Sequence, residues 1–210
     1  VRAIKLFAEV ALRSTSIKAE IAEQFYAILG ESERLFKLLD SMLIHGRLSK
    51  FAEKLEPASI LKVLQALMKK LHPQIEEFHA QLTLPTTDGY ILGNATLLYQ
   101  IFANLLDNAL KYRHPGMQPK IDVHISQQAS HIQIEVADNG IGIPAEYFEK
   151  VFQIFQRVHT SEEYPGVGIG LATVKKSVEL MNGSVKISSV INEGTTFHLT
   201  FPKANVEIGF

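Results

Sequence analysis

Apolar side chains recur at helical spacing through the first fifty residues of this chain. They occupy one face of a predicted helix over residues 1–13 and one face of a longer helix over residues 17–48, with the break Ser14–Ser16 between them. Their positions are Val1, Ile4, Ala8 and Leu12, then Ile21, Phe25, Ile28, Leu35, Leu38, Leu39 and Met42. Two such helices bury little apolar surface alone, so the pattern predicts pairing with a second hairpin and hence a dimer. A helical subdomain packed on its own chain is the alternative.

Beyond Pro57 the apolar pattern changes. Two pairs of segments alternate apolar and polar side chains, as the half-buried strands of two hairpins would: residues 121–125 with 132–136, and residues 185–190 with 196–201. Helices are predicted near residues 59–70, from Asn94, whose side chain is suited to cap the helix, and near residues 169–182, with a weak strand near residues 81–85. Hairpins with helices between them predict a mostly antiparallel or mixed sheet covered by helices on one face.

The composition narrows the class of protein. With 210 residues, 46% hydrophobic and 20% charged, the chain has the make-up of a soluble globular protein of one or two domains. Its formal net charge of −1 provides no broad basic surface, so we expect no nucleic-acid partner. The absence of cysteine excludes a disulfide scaffold, a thiolate metal site and a catalytic thiol.

No segment reaches the roughly 18 consecutive apolar residues of a membrane span. The chain also opens at Val1, within a predicted helix. We therefore expect a cytoplasmic part of a longer protein, with any sensor or membrane anchor in regions outside this sequence.

Polar residues share one face of the helix in NLLDNALKY, residues 104–112. Asn104, Asn108 and Lys111 are three or four positions apart, so their side chains lie together. An amide oxygen is a hard ligand suited to Mg²⁺, and a lysine adds a positive charge for phosphate. An ordinary solvated helix face is the alternative for this segment alone.

A carboxylate follows the second predicted strand in VADNGIGIP, residues 136–144. Strand alternation places Asp138 on the inward face, where an unpaired charge is costly and a donor is needed. The exocyclic amine of adenine is such a donor. Gly140 and Gly142 would let the backbone approach a ligand closely, and Pro144 could open a short helix. A strand-ending turn with aspartate as a local cap is the alternative.

Two further segments complete an ordered series. The aromatic residues of FEKVFQIFQRV, namely Phe148, Phe152 and Phe155, are interpreted as packing residues that precede Arg157. GVGIGLA, residues 166–172, runs directly into a helix, an arrangement in which free backbone N–H groups and the helix dipole bind phosphate. A hinge without a ligand is the alternative. The absence of GxxxxGK[ST] argues against a P-loop protein.

Taken in order, these four segments resemble the N, G1, F and G2 boxes of sensor histidine kinases. The resemblance covers residues 55–203 well and residues 1–50 more loosely, and KYRHPG (111–116) looks most like the phytochrome-related group. It implies an α+β fold, a two-layer α/β sandwich of the Bergerat ATPase/kinase type preceded by an α-helical hairpin. The implied domains are a partial dimerisation hairpin over residues 1–50 and a catalytic ATP-binding domain over residues 51–210.

The resemblance also implies roles for individual residues, with ATP and Mg²⁺ bound. Asn108 would hold Mg²⁺, Asp138 would bind the adenine amine, and Thr195 would assist through water. Residues 156–168 would form a lid over the nucleotide. The implied catalytic residues are Asn104, Lys111 and Arg157. The implied ATP-binding residues are Asn104, Asn108, Lys111, Tyr112, Asp138, Gly140, Gly142, Arg157, Gly166, Gly168, Gly170, Leu171 and Thr195.

The family implies a homodimer formed by the hairpin and transfer of phosphate through a histidine to a response regulator receiver domain. ATP-hydrolysing relatives carry glutamate where Asn104 stands, and because an amide is no general base, transfer is favoured over hydrolysis. None of the eight histidines, His45 and His72 included, has the sequence context of the family's acceptor. We therefore expect the acceptor upstream of Val1. The alternatives are a degenerate nucleotide-binding or dimerisation module and an anti-sigma-type serine kinase.

Overall fold

The computed structural model describes residues 54–158, 164 and 167–205, together with residues 10, 21, 23–32, 35, 39 and 48 nearer the amino terminus. Most of the predicted hairpin, and with it the boundary between the two predicted domains, lies outside the described residues. So do Gly166 and much of the predicted lid.

From residue 56 onward, strands and helices alternate irregularly along the chain. The strands are β1 (Glu56–Ser59), β2 (Gln81–Thr83), β3 (Tyr90–Gly93), β4 (Lys120–Gln127), β5 (His131–Asp138), β6 (Ser184–Val190) and β7 (Gly194–Pro202). The helices are α1 (Ile60–Glu77), α2 (Ala95–Lys111) and α3 (Gly170–Leu180). Two 3-10 turns, Ala145–Tyr147 and Lys150–Phe152, lie between β5 and α3.

Five strands form a mixed sheet in the order β2–β4–β5–β7–β6, and β1 pairs separately with β3. Within the larger sheet β2 runs parallel to β4, while the other neighbours are antiparallel. The register places Asp138 opposite Thr195 of β7, and Thr195 opposite Ser189 of β6. Because opposed residues of an antiparallel pair point to the same face, these three side chains form one row at the end of the sheet.

One face of the sheet carries the core. Alternate residues of β5 and β7 are buried there, while the residues between them, such as Gln133 and Glu135, are exposed. The helices cover this face with their own apolar stripes, and the largest contributions come from α2. The fully buried side chains include Ile132, Ile134, Leu199, Phe201, Leu98, Ile101, Phe102 and Leu106. The α+β two-layer sandwich predicted from the sequence is confirmed.

Three elements differ from the sequence-based expectations. The short strands β1 and β3 were not predicted, because four-residue segments contain too few alternations to be distinguished from loops. Helix α1 continues past its predicted end, through Pro73 to Glu77. Leu71 is buried and Ile75 packs against the core, so the last turns gain apolar contacts that offset the disfavoured proline.

The aromatic segment before the predicted lid also differs. Phe152 packs against the core, as expected, at the end of the second 3-10 turn. Phe155 has a positive φ of 68° and is 50% exposed. The expectation that it packs inside is therefore wrong, because the turn carries its side chain outward.

Residues 23–32 are helical, in agreement with the longer predicted helix. Several apolar side chains of the predicted stripe are exposed: Ile21 by 44%, Ile28 by 43%, Leu35 by 47% and Leu39 by 49%. None of the described helices is long and apolar enough to cross a membrane.

Replacement of Asn94 tests the predicted start of α2. Its side-chain Oδ1 accepts hydrogen bonds from the N–H groups of Thr96 at 2.9 Å and Leu97 at 3.2 Å. We expect Asn94→Ala to lower the free energy of unfolding by about 1 kcal/mol, measured by denaturant titration, because these donors lose their acceptor. Asn94→Asp keeps the acceptor and is the control. Equal losses in both variants would contradict the assignment.

Candidate nucleotide-binding site

Asp138 ends β5 with its side chain directed to the helix-covered side of the sheet, as strand alternation predicts. Its Oδ1 accepts hydrogen bonds from the backbone N–H groups of Gly140 at 2.8 Å and Thr195 at 3.3 Å. Oδ2 accepts none from the residues that the structure describes. Burial raises the pKa of Asp138 to about 6, and the two backbone donors oppose that rise. One carboxylate oxygen is thus fixed and the other can accept from a ligand.

The loop after Asp138 is held by backbone contacts on both sides. Ile141 N–H donates to the Tyr112 carbonyl at 3.0 Å, and Asn192 N–H donates to the Ile141 carbonyl at 2.9 Å. Gly142 has φ +76°, and a Cβ there would overlap the Val190 carbonyl oxygen. A side chain is therefore excluded at Gly142 by both its conformation and its neighbour.

Asn104 and Asn108 lie one turn apart on α2, and both are half-buried. Asn104 Nδ2 donates to the Gln100 carbonyl at 2.7 Å. Because a carbonyl can only accept, this bond fixes the amide orientation and turns Oδ1 away from Gln100. A Cβ added to Gly170 would lie 2.9 Å from Asn104 Oδ1, so the amide oxygen faces the first residue of α3.

The first turn of α3 provides donors for an anion. Ile169 occupies the N-cap position, and no side chain among the described residues caps the turn. The N–H groups of a helix's first turn have no partner within the helix, and they carry the positive end of its dipole. Gly170 and Leu171 begin this turn and are half-buried, and Gly168 lies just before it. The arrangement is suited to phosphate, as predicted from the glycine pattern.

Two positive side chains contact the tyrosines Tyr112 and Tyr164. Lys111 Nζ donates to the Tyr112 hydroxyl at 3.0 Å and lies 4.4 Å from the ring centroid. The Tyr164 ring lies 5.1 Å from that of Tyr112, and Arg157 Nη2 donates to the Tyr164 carbonyl at 2.5 Å. Phe155 N–H donates to the Gly168 carbonyl at 2.8 Å, which joins the residue before the predicted lid to the last residue of the lid.

The structure therefore links the residues predicted from separate segments. A chain of contacts runs from Thr195 and Asp138 through Gly140 to Tyr112, and from Tyr112 through Tyr164 to Arg157. A Cβ at Gly140 would lie 2.5 Å from the Tyr112 carbonyl oxygen, and Asn104 meets the start of α3 in the same way. Of the predicted catalytic and ATP-binding residues, Gly166 alone lies outside the described part of the chain.

Sequence reasoning missed Ser189 and Asn139. Ser189 Oγ accepts from Ile143 N–H at 2.8 Å and donates to the Gly194 carbonyl at 2.7 Å. Asn139 Oδ1 accepts from Lys120 N–H at 2.8 Å and so ties the loop to the start of β4. Ser189 could have been found by counting back from the predicted β6–β7 turn to the residue opposite Thr195. No local pattern marks Asn139.

These groups fit a nucleotide with its magnesium ion. Asp138 Oδ2 offers an acceptor at one end of the site, and the uncapped α3 offers donors at the other. No group of three or more histidine and acidic side chains within the described residues is placed to hold a metal ion. A cation here would therefore rely on the Asn108 amide together with ligand phosphates and water, as is usual for Mg²⁺.

Comparison with known proteins identifies the domain. The family model described as "Histidine kinase-, DNA gyrase B-, and HSP90-like ATPase" matches residues 93–205, more than half of the chain. The chain belongs to this family. The matched residues include both asparagines of α2, Asp138, Thr195 and the four described glycines of the candidate site, Gly140, Gly142, Gly168 and Gly170. As a member of this ATPase family the chain contains an ATP-binding domain, which confirms the fold implied by the sequence resemblance.

Proteins similar in sequence to this chain include sensor histidine kinases. It is 34% identical over 185 residues to cyanobacterial phytochrome A of Nostoc sp., covering 86% of this chain and 24% of the relative. It is 30% identical over 193 residues to sensor histidine kinase WalK of Bacillus subtilis, covering 87% of this chain and 31% of that protein. The resemblance to sensor histidine kinases is thereby confirmed. The chain spans about a quarter to a third of these relatives.

Solved structures of histidine kinases have a similar fold. Full-length ShkA, solved in complex with AMPPNP, matches with a TM-score of 0.69 at 24% identity, over 97% of this chain and 43% of that one. At this identity the match supports the fold alone.

The raised pKa of Asp138 predicts a pH-dependent stability in the absence of nucleotide. Since the folded state keeps the proton up to about pH 6 and an unfolded aspartate releases it near 4, stability falls as pH rises between these values. We expect a loss of about 1–3 kcal/mol across this window in chemical denaturation. Asp138→Asn keeps an acceptor for Gly140 and Thr195 but cannot titrate. The difference in the free energy of unfolding between this variant and the unaltered chain should therefore change over this pH window. A constant difference would contradict the prediction.

Proposed function

We propose that this chain is the ATP-binding catalytic part of a sensor histidine kinase. It binds Mg·ATP and transfers the γ-phosphoryl group to a histidine on a helical hairpin, for relay to a response regulator receiver domain. The observation that carries the proposal is the position of Asn104, an amide held against the start of the phosphate-binding helix α3.

The base would bind at the end of β5. Asp138 Oδ2 accepts from the exocyclic amine of adenine, while Oδ1 stays fixed by two backbone donors. Gly142 lets the loop backbone lie flat against the β6–β7 turn, so that no side chain fills the space beside the base. Thr195 lies next to Asp138 and assists its recognition of the amine.

The phosphates would bind where α2 meets α3. The first-turn N–H groups of α3 donate to the phosphate oxygens. Lys111, bonded to Tyr112, and Arg157, bonded to Tyr164, supply positive charge. Asn108, assisted by Asn104, would hold Mg²⁺. When bound, the cation neutralises negative charge on the phosphate oxygens and orients them for in-line transfer.

Transfer rather than hydrolysis follows from the chemistry of Asn104. Hydrolysis needs a base that takes a proton from the attacking water, and an amide does not accept protons at neutral pH. The orientation of the Asn104 amide is also fixed, because its nitrogen donates to the Gln100 carbonyl. We infer that the nucleophile is the imidazole of a histidine, as the resemblance to sensor histidine kinases implies, and an imidazole does not depend on a base at position 104. The relatives named as sensor kinases support this choice over a degenerate module.

A homodimer and a cytoplasmic location complete the proposal. Apolar side chains of the predicted stripe, such as Ile21 and Leu39, are 44% and 49% exposed within a single chain. A partner hairpin would cover them, because burial of exposed apolar surface is the main driving force for such association. ATP and receiver domains are both available in the cytoplasm.

Nucleotide titration of the 210-residue chain tests the base site. We expect Asp138→Asn to weaken Mg·ATP binding by about 1–3 kcal/mol, or about 5- to 150-fold, because a buried carboxylate acceptor for the amine is replaced by a neutral amide. Calorimetry on both proteins at pH 8 measures the change. Asp122→Asn, on the exposed face of β4, is the matched control. Equal affinity of the Asp138 variant and the unaltered chain would remove Asp138 from this role.

A phosphotransfer assay tests the metal site. With radiolabelled ATP and a hairpin carrying an acceptor histidine, supplied on the same or a separate chain, we expect Asn108→Ala to abolish labelling because Mg²⁺ loses its ligand. The exposed neighbour Asp107→Ala is the control and should retain labelling. Labelling at the unaltered rate in the Asn108 variant would contradict the metal assignment.

A further inference from the structure

We propose that Ser189 is a positioning residue that directs the hydrogen bond of the Thr195 hydroxyl, so that the site selects a base with a 6-amino group over one with a 6-oxo group. The inference rests on the proposed function, because it concerns the same nucleotide site. Ser189 lies on β6 directly opposite Thr195, which itself lies opposite Asp138.

The Ser189 hydroxyl has three polar neighbours. Ile143 N–H is a donor at 2.8 Å, the Gly194 carbonyl is an acceptor at 2.7 Å, and the Thr195 hydroxyl lies at 3.0 Å and could act in either sense. A serine hydroxyl has one proton and two lone pairs. Ile143 N–H donates to one lone pair. The Ser189 hydroxyl donates its proton in a hydrogen bond to the Gly194 carbonyl, because a carbonyl can only accept.

The remaining bond therefore has one possible direction. Ser189 has no second proton to give, so Thr195 Oγ1–H must donate to the second lone pair of Ser189. Thr195 is 6% exposed, so its hydroxyl cannot exchange this partner freely with bulk water. With its only proton committed, the Thr195 hydroxyl presents lone pairs alone to any group that approaches it.

The end of the sheet then offers only acceptors to a base. Asp138 Oδ1 already receives two N–H donors, and Oδ2 receives none from the described residues. Beside it the Thr195 hydroxyl also accepts. A 6-amino group donates hydrogen bonds to these acceptors. A 6-oxo group has only lone pairs at this position, and they repel the lone pairs of the carboxylate. One bridging water keeps this polarity, because a water that donates to both acceptors has only lone pairs left.

Removal of the Ser189 hydroxyl releases the Thr195 proton. In Ser189→Ala, Thr195 Oγ1–H can rotate and donate to a 6-oxo group, directly or through water. Ile143 N–H also loses its acceptor, which loosens the loop that contains Gly142. The looser loop weakens the binding of all purine nucleotides alike, whereas the freed proton strengthens the binding of the 6-oxo base alone. The ratio of affinities separates the two effects.

The experiment compares Mg·ATP with Mg·ITP, in which a 6-oxo group replaces the 6-amino group and N1 carries a proton. Calorimetric titration of the 210-residue chain at pH 8 keeps Asp138 ionised, since its pKa is raised to about 6. We expect Ser189→Ala to lower the ATP-to-ITP affinity ratio by about 3- to 10-fold, the value of one neutral hydrogen bond.

Two variants serve as controls. Ser188→Ala removes the adjacent hydroxyl of β6, which lies on the exposed face 2.7 Å from His198 Nε2, and should leave the ratio unchanged. Thr195→Val added to Ser189→Ala removes the released proton and should restore the ratio toward that of the unaltered chain. Together they show whether the change arises at the hydroxyl pair.

The outcomes are distinct. A lower ratio in Ser189→Ala that is reversed by Thr195→Val supports the inference. ATP binding with an unchanged ratio in Ser189→Ala, or an equal fall in Ser188→Ala, overturns this inference alone and leaves the proposed function intact. Absence of ATP binding by the unaltered chain overturns the proposed function and this inference with it.

Discussion

Asp138 and Thr195 face each other across β5 and β7, and the backbone N–H of Thr195 donates to the carboxylate. This pairing depends on the register of the whole sheet, because a shift by one residue would turn Asp138 to the exposed face and bury Ala137 in its place. The buried residues Ile132, Ile134 and Val136 oppose such a shift, since they would all become exposed. The hydrophobic core of the sheet thereby fixes the position of the Asp138 carboxylate.

The same constraint reaches the loops around the site. The β6–β7 turn brings Asn192 to the Ile141 carbonyl and Ser189 to Ile143 N–H, so the segment after Asp138 is held against the neighbouring hairpin. On its other side Ile141 donates to the carbonyl of Tyr112 at the end of α2. The helix that carries Asn104 and the loop that follows Asp138 are therefore joined by a backbone hydrogen bond beside the candidate site.

Much of this arrangement could be predicted from local patterns. Alternation over residues 132–136 placed Asp138 inward, and glycines before a helix indicated the phosphate-binding end. The asparagine spacing predicted a shared face of α2. Local patterns did not reveal the short strands β1 and β3 or the outward position of Phe155. Their structures depend on pairing and turn geometry between distant residues, which a local pattern does not encode.

The sequence by itself determined the type and order of the main elements and the residue types of the site, because periodicity and side-chain chemistry are local properties. Only the tertiary structure decided which groups meet. It placed Gly170 against Asn104, Tyr112 beside Gly140, and Ser189 beside Thr195. The last contact joins residues of two different strands, and the direction of its hydrogen bond depends on Ile143 and Gly194 as well. Such a bond is decided by sheet register, which arises from the packing of the whole core.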